Sequence, residues 1–342
     1  MINSPLIWAG GKSRAMAHVL EALPQGECLV EPFVGSGSVF LNTDYKTYVL
    51  CDSNAALINF FSVVKRDTEA LLSAAAKLFE NGNNEEAYYD YRNTFNFVNR
   101  EFKYDRRQYS NQTLIEFAAL FLYLNRHCYN GVYRVNLKNE FNVPFGFRKK
   151  PIFPVAEIKH FAARAWEKGA MFLHGDFRET IPLAIGHSNC VIYCDPPYLP
   201  ASETANFTAY GKPFTDEDHR VLAARLSYLY DTVKIPSVIS GSDTPETSQI
   251  YSMFTLKSFD VRRSVGAKTR NLAGEVIGVL RTSRNRKEVI GVLPVCDCCG
   301  RHSGSYCPDC GPCAGYSVGR EEESDSDVLP GYWESEENPI PL

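Results

Sequence analysis

Residues 27–40, ECLVEPFVGSGSVF, decide the fold class of this 342-residue chain. The run ECLVEPF (27–33) predicts a short strand, Val34-Gly35-Ser36-Gly37 a turn, and the residues after it a helix. A second run, TYVLCD (47–52), ends on an acid and passes through Ser53-Asn54 into the helical pattern AALINFFSVVKRD. Strand, glycine turn, helix, strand, acid is how a doubly wound nucleotide-binding sheet begins. The turn lacks the full G-x-G-x-x-G spacing, so a dinucleotide is disfavoured. Gly35 and Gly37 let the backbone turn tightly and a ligand approach the helix N-terminus, although glycines at such a junction also serve simply as turn formers. Asp52 stands where an acid accepts hydrogen bonds from ribose hydroxyls; the alternative is a cap for the next helix.

Before this unit comes WAGGK (8–12). Trp8 can pack on an apolar face, Gly10 and Gly11 open the backbone, and Lys12 supplies a cation for a carboxylate. A cofactor with an adenine, a ribose and an amino-acid carboxylate uses all three kinds of contact. After the unit the alternation breaks. EALLSAAAKLFE, EEAYYDYRNTFNF and TLIEFAALFLYLNR read as helices, and a basic stretch rich in Gly and Asn runs on to Lys150. Helix 154–168, strands 170–177 and 190–195, helix 216–232, strand 237–240, helix 245–253 and strand 256–263 then resume the α/β pattern. The hexapeptide EVIGVL occurs at 275–280 and again at 288–293, and either copy could be the last sheet strand.

The strand 190–195 ends in the segment that carries chemistry, Asp195-Pro196-Pro197-Tyr198. The amino group of an aromatic base is a poor nucleophile because its lone pair is delocalised into the ring. The Asp195 carboxylate and the Pro196 carbonyl can each accept one of its N–H bonds and favour a pyramidal nitrogen. Two prolines fix φ and remove their own N–H donors, so the backbone there offers only acceptors. Tyr198 offers a ring on which a flipped base can stack. The bland alternative is an acidic strand end followed by a rigid turn.

Net charge is −4, but residues 321–342 hold eight acids and no Lys or Arg, leaving 36 basic against 32 acidic residues in the rest. Residues 99–150 have ten Lys/Arg to four Asp/Glu, and 256–287 have nine to two. Such concentrated basic segments suit a phosphate backbone, though they are also what solvated faces look like. No run approaches the roughly 18–20 apolar residues of a membrane helix, and the N-terminal apolar run is too short for a secretory signal. A cytoplasmic protein with no membrane partner is expected.

Taken together these pieces resemble the Dam family of DNA adenine methyltransferases over residues 5–265. The resemblance rests on WAGGK (8–12), ECLVEPFVGSGSVFLNTD (27–44), FLYLNR (121–126), YNGVYRVN (129–136), NEFNVPFG (139–146), YCDPPY (193–198) and TANFTAY (204–210). It implies a Rossmann-like S-adenosylmethionine-dependent methyltransferase fold with an inserted, mainly helical target-recognition domain, acting on adenine N6 within GATC in duplex DNA by base flipping, as a monomer in a bacterial cell or phage-infected host. By position it implies cofactor contacts at Trp8, Lys12, Asp52 and Asp195, with Phe33, Gly35 and Gly37 lining the pocket and Asp176 and Phe177 near the cofactor adenine. It makes Asp195, Pro196 and Tyr198 catalytic, Tyr129 a wedge beside the extruded base, Asn130 a DNA contact and Arg134 the guanine reader. The last also makes independent sense, since a guanidinium can bond guanine O6 and N7 together. ANFTAY would close over the flipped base. Phe147-Arg148-Lys149 departs from the family's Arg-Tyr-Lys.

Outside the family pattern, CDCCGRHSGSYCPDC holds two C-x2-C-G knuckles, Cys296/Cys299 and Cys307/Cys310, suited to a structural zinc. An iron–sulfur cluster would also take four cysteines, and an oxidisable tail is the plain alternative. The remaining expectation is an organisation of 1–68 and 151–293 as catalytic domain, 69–150 as insertion, 294–315 as zinc knuckle and 316–342 as a disordered acidic tail. Competing readings are methylation of RNA adenine or protein glutamine by the same motif, or a non-catalytic DNA-binding module.

Overall fold

A 3-10 turn at Lys12–Arg14 and helix α1 (Met16–Ala22) lead into β1 (Cys28–Glu31), α2 (Ser38–Asn42), β2 (Thr47–Asp52) and α3 (Ala55–Arg66). The computed structural model describes residues 1–100, 102, 108–199, 214–262 and 272–280, with the backbone of 306–307 and 311–312. Three helices follow, α4 (Thr68–Asn81), α5 (Glu85–Asn99) and α6 (Asn111–His127). Then come α7 (Val155–Glu167), β3 (Met171–His174), α8 (Phe177–Thr180), β4 (Cys190–Cys194), α9 (Asp216–Val233), β5 (Ser237–Ser242), α10 (Pro245–Ile250), β6 (Thr255–Arg262) and β7 (Leu272–Leu280). Polar residues start the helices where the sequence offers them. Asn54 accepts from the Leu57 N–H at 3.1 Å, Ser110 from Thr113 at 3.0 Å, and Thr215 and Asp218 form a reciprocal capping box on α9.

Among the described residues the strands form one seven-stranded sheet in the order β3-β2-β1-β4-β5-β7-β6, with β7 antiparallel to both neighbours and the rest parallel. Val30 of β1 lies in register with Val49 on one side and Ile192 on the other. The strand order therefore reverses between β1 and β4, which opens a crevice at their carboxyl ends. The first EVIGVL copy is the one in β7; the second lies outside the described residues.

Alternate residues of the strands enter two separate cores, as a pleated strand buried on both faces requires. Leu29, Tyr48, Leu50, Val191, Tyr193 and Val238 face one core; Val30, Val49, Cys51, Ile192, Cys194 and Ile239 face the other. The first core continues through Phe60 and Phe61 of α3 into Leu71, Phe95, Phe117 and Phe121 of α4–α6. The helices of 69–150 are thus packed as a further layer on this face. The second core is covered by α8, α9 and α10 through Phe177, Leu222, Leu226 and Ile250.

Met1–Arg284 makes one unit and Asn285–Leu342 another. Of the second, the described backbone is a short antiparallel pair, β8 (Tyr306–Cys307) with β9 (Gly311–Pro312), in which Cys307 stands opposite Gly311. Cys296, Cys299, Cys310, the ANFTAY segment and the acidic tail lie outside the described residues. Among the described residues no group of His, Cys, Asp and Glu could hold a metal ion, and no helix is long and apolar enough to cross a membrane.

Candidate active site

Every strand end on which the sequence places a cofactor residue opens on the same edge of the sheet. The turn after β1 is built on left-handed glycines, Gly35 at φ 49° and Gly37 at φ 71°. A Cβ on Gly37 would come within 2.9 Å of the Phe161 ring, and one on Gly35 within 3.2 Å of the Trp8 indole nitrogen, so the turn tolerates only glycine. Asp52 at the end of β2 ties this turn down. Its Oδ2 accepts from the Gly35 N–H at 3.1 Å and its Oδ1 from Asn54 at 3.0 Å. Burial nevertheless outweighs those bonds and pushes the carboxyl up to about 6.

Phe33 follows β1 and Phe177 opens α8 after β3; their rings stack at 5.7 Å, with Phe214 edge-on to Phe33 at the same distance. Such a cluster is a wall against which a flat base can pack. Asp176 is exposed: it caps α8 through the Arg178 N–H and pairs with the Arg178 guanidinium at 3.1 Å. Trp8 stacks on Tyr133 at 5.6 Å, so the N-terminal turn and the YNGVYR segment meet beside the glycine turn.

Lys12 is buried, and its ammonium donates to the Gly10 carbonyl at 3.0 Å and pairs with Asp195 Oδ2 at 2.5 Å. The sequence reads Lys12 as a cation for a ligand carboxylate; here it also balances Asp195, the acid just after β4. Burial raises the Asp195 carboxyl despite Lys12, and Glu275 on β7 adds to the rise. Asp195 Oδ1 is sealed from solvent and has no hydrogen-bond partner among the described residues. Tyr198 lies with its ring 5.0 Å from the Lys12 ammonium and its hydroxyl donating to Glu275 at 3.3 Å.

Two acids here escape a reading of the sequence. Glu31, the last residue of β1, is 1% exposed, and its Oε1 also has no hydrogen-bond partner among the described residues. Burial, then the nearby charge of Asp195, raises it well above the carboxylate range. Its signal was a charged residue closing an otherwise apolar strand, LVEPF. Glu275 was hidden in the duplicated EVIGVL.

The DNA-reading candidates lie on the segment leaving α6, whose Tyr133 stacks on Trp8. Tyr129 is half exposed and its N–H donates to the Pro144 carbonyl at 2.9 Å; Asn130 is exposed at φ 55°. Isolated bridges pair Cys128 with Phe145 and Val135 with Phe141, making a hairpin of 128–145. Arg134 Nε donates to Asn142 Oδ1 across it at 2.8 Å.

The family model for D12 class N6 adenine-specific DNA methyltransferases matches residues 8–265, which contain every element of this crevice except β7 with Glu275. The chain belongs to that family. It is 43% identical over 280 residues to the DNA adenine methylase of Escherichia coli (strain K12), covering 81% of this chain and 94% of that one. The DNA adenine methylase of Serratia marcescens is 43% identical over 271 residues, 79% of this chain and 93% of its own. That of Vibrio cholerae serotype O1 is 41% identical over 271 residues, 79% and 91% of the two chains. The protein is accordingly a site-specific DNA adenine methyltransferase that uses S-adenosylmethionine, and the D12 fold is the mixed α/β arrangement described above.

Proposed function

We propose that this D12 methyltransferase acts as a monomer in the cytoplasm on duplex DNA, extrudes the adenine of GATC, and methylates N6 at Asp195. The observation that carries the assignment is Asp195 itself: an acid at the carboxyl end of β4, beside the reversal in strand order, with a sealed carboxylate oxygen that has no hydrogen-bond partner among the described residues. Asp195 and the Pro196 carbonyl each accept one N–H of the adenine amino group, and the nitrogen lone pair is left pointing away from them. Tyr198 lies against the extruded ring.

The residues present fit S-adenosylmethionine. Glu31 Oε1, buried without a hydrogen-bond partner among the described residues, suits the ammonium of an amino acid, and Lys12, which pairs with Asp195, suits its carboxylate. Asp52 accepts from ribose hydroxyls, and Phe33, Phe177 and Trp8 supply apolar surface around the glycine turn, with Asp176 at the rim. When bound, the cofactor supplies a methyl group on a cationic sulfur. The chain's own part is to place acceptor and donor in line and keep water out. Arg134, Tyr129 and Asn130 supply guanine readout, wedge and flanking contact. GATC is favoured by the resemblance of YNGVYRVN to the Dam family and by the placement of Arg134 on the hairpin.

We also infer that Cys296, Cys299, Cys307 and Cys310 hold one structural zinc ion. The paired C-x2-C-G spacing supports this, as does the β8–β9 pairing that sets Cys307 opposite Gly311.

A digestion assay tests the catalytic assignment. DNA treated with wild-type enzyme is expected to become refractory to a restriction enzyme blocked by methylated GATC while staying open to one indifferent to it. D195A should leave the DNA cleavable by both, with an unchanged melting temperature. Near-normal protection by D195A would overturn the assignment.

A further inference from the structure

His219, in the first turn of α9, is 3% exposed, and no motif points to it. Both ring nitrogens are occupied. Nε2 lies 3.0 Å from the Pro197 carbonyl oxygen and Nδ1 2.8 Å from the Tyr251 hydroxyl. A carbonyl oxygen can only accept, so Nε2 carries the hydrogen and Nδ1 accepts from Tyr251. Burial holds the ring neutral by pushing it down to about 4, even with Asp216 and Asp218 nearby. The Phe214 ring stands edge-on to the imidazole at 4.7 Å and reaches from it to Phe33 and Phe177.

The chemistry of the Asp195–Tyr198 turn explains why such a contact matters. Pro196 and Pro197 have no N–H, so at these two residues carbonyl oxygens are the only main-chain handles. The proposed reaction needs the Pro196 carbonyl free to accept from the substrate amine. Of the two proline carbonyls, that leaves the one of Pro197 for the protein to grip without blocking the acceptor. The flanks are gripped elsewhere: Asp195 by Lys12, Tyr198 by Glu275, and the Leu199 carbonyl by the Ser242 hydroxyl at 3.0 Å. Proline fixes φ but not ψ, and a hydrogen bond to the Pro197 carbonyl fixes the orientation of the peptide plane that follows it.

We propose that His219 is a positioning residue for methyl transfer, holding the Pro197 carbonyl so that the Pro196 carbonyl and the Asp195 carboxylate stay aimed at the adenine amino group. This rests on the assignment of Asp195 as the amine acceptor. A histidine suits the task because it donates on one edge and accepts on the other, so that Tyr251 on the opposite side fixes both its orientation and its tautomer.

The test compares H219M, which fills the space without a donor, with H219Q, whose amide can still donate to Pro197. Single-turnover rates are measured at saturating DNA and S-adenosylmethionine, with cofactor affinity by calorimetry and thermal melting in parallel. H219M is expected to lower the rate about 10- to 100-fold, the scale of a misplacement near 1 Å, with cofactor Kd within about threefold of wild type. H219Q should recover most of that loss. A rate for H219M within twofold of wild type, or H219Q no faster than an equally stable H219M, would reduce His219 to packing and overturn the proposal. Should H219M fail to fold, Y251F becomes deciding: it should slow the step with KM unchanged, and an unchanged rate would overturn the proposal. D195A, run alongside, separates the two levels. An active D195A removes the reading beneath the proposal, whereas an inactive D195A with a fully active H219M removes the proposal alone.

Discussion

At the end of β1, Glu31 is enclosed by the sheet and the glycine turn, with one carboxylate oxygen unpartnered among the described residues. Burial raises its folded titration well above the ordinary carboxylate range, and Asp195 adds to it, against one N–H from the Phe40 backbone. The folded protein therefore binds this proton more tightly than the unfolded chain. The stability Glu31 contributes is complete at acid pH, below the unfolded value, and is lost as pH rises through the folded one. Each pH unit between the two titrations is worth about 1.4 kcal/mol. E31Q removes the ionisation and should stabilise the cofactor-free protein at pH 8 far more than at pH 5, as read from urea midpoints. The same variant should bind S-adenosylmethionine more weakly by calorimetry, because the acceptor proposed for the ammonium becomes half donor. An equal gain at both pH values would mean that the carboxyl titrates alike in the folded and unfolded chains, and unchanged cofactor affinity would remove it from the pocket.

The hairpin of 128–145 shows how one element serves two sites. Its residues alternate: Tyr133 turns inward to stack on Trp8 beside the cofactor crevice, and Arg134 turns to Asn142 on the opposite side. Asn142 engages Nε, the guanidinium donor that an end-on contact through the two terminal nitrogens does not need. This bond leaves the two terminal nitrogens to the O6 and N7 of a guanine in the role proposed for Arg134. R134A should cost about 1–3 kcal/mol of discrimination at that guanine, so methylation spreads to sites differing from GATC at the first base. Rates on a set of oligonucleotides varied at each position check this, and an unchanged preference would put the guanine reader elsewhere. YNGVYR and NVPFG marked this segment but not its hairpin pairing, and the longer helices and most strands were legible from apolar runs within two or three residues, whereas α1, α8 and the choice between the EVIGVL copies were not. Nor were partners made only by the fold. His219 meets Pro197 from a different element, and Glu275 reaches Tyr198 from a strand 77 residues later in the chain. The packing of α4–α6 onto α3 was equally hidden, because Phe95, Phe117 and Phe121 read the same whether they close a core of their own or extend the core of the sheet.

At the scale of the whole molecule, the catalytic elements are complete by β7, and the sheet ends there among the described residues. The unit from Asn285 onward begins just after Arg284, and the four cysteines proposed as zinc ligands all fall within it. Every strand and helix that forms the crevice, from the Trp8 turn to Glu275, belongs to the first unit. No His or Glu stands among or beside the cysteine pairs except His302, so a zinc there has little with which to activate water and reads as structural. Removing the metal site should therefore leave the transfer chemistry in place. Protein purified without chelator should carry one zinc per chain by elemental analysis, and a chain truncated after residue 294 should carry none. The truncated chain should bind S-adenosylmethionine as the full chain does and still methylate GATC in vitro. Its DNA affinity should fall where the missing segment contributes basic residues, and that loss should grow less marked as salt is raised. If cofactor affinity also collapsed on truncation, the cysteine segment would be a support for the sheet itself, and the second copy of EVIGVL, retained or lost by moving the cut to residue 284, would be the first place to look for the missing contact.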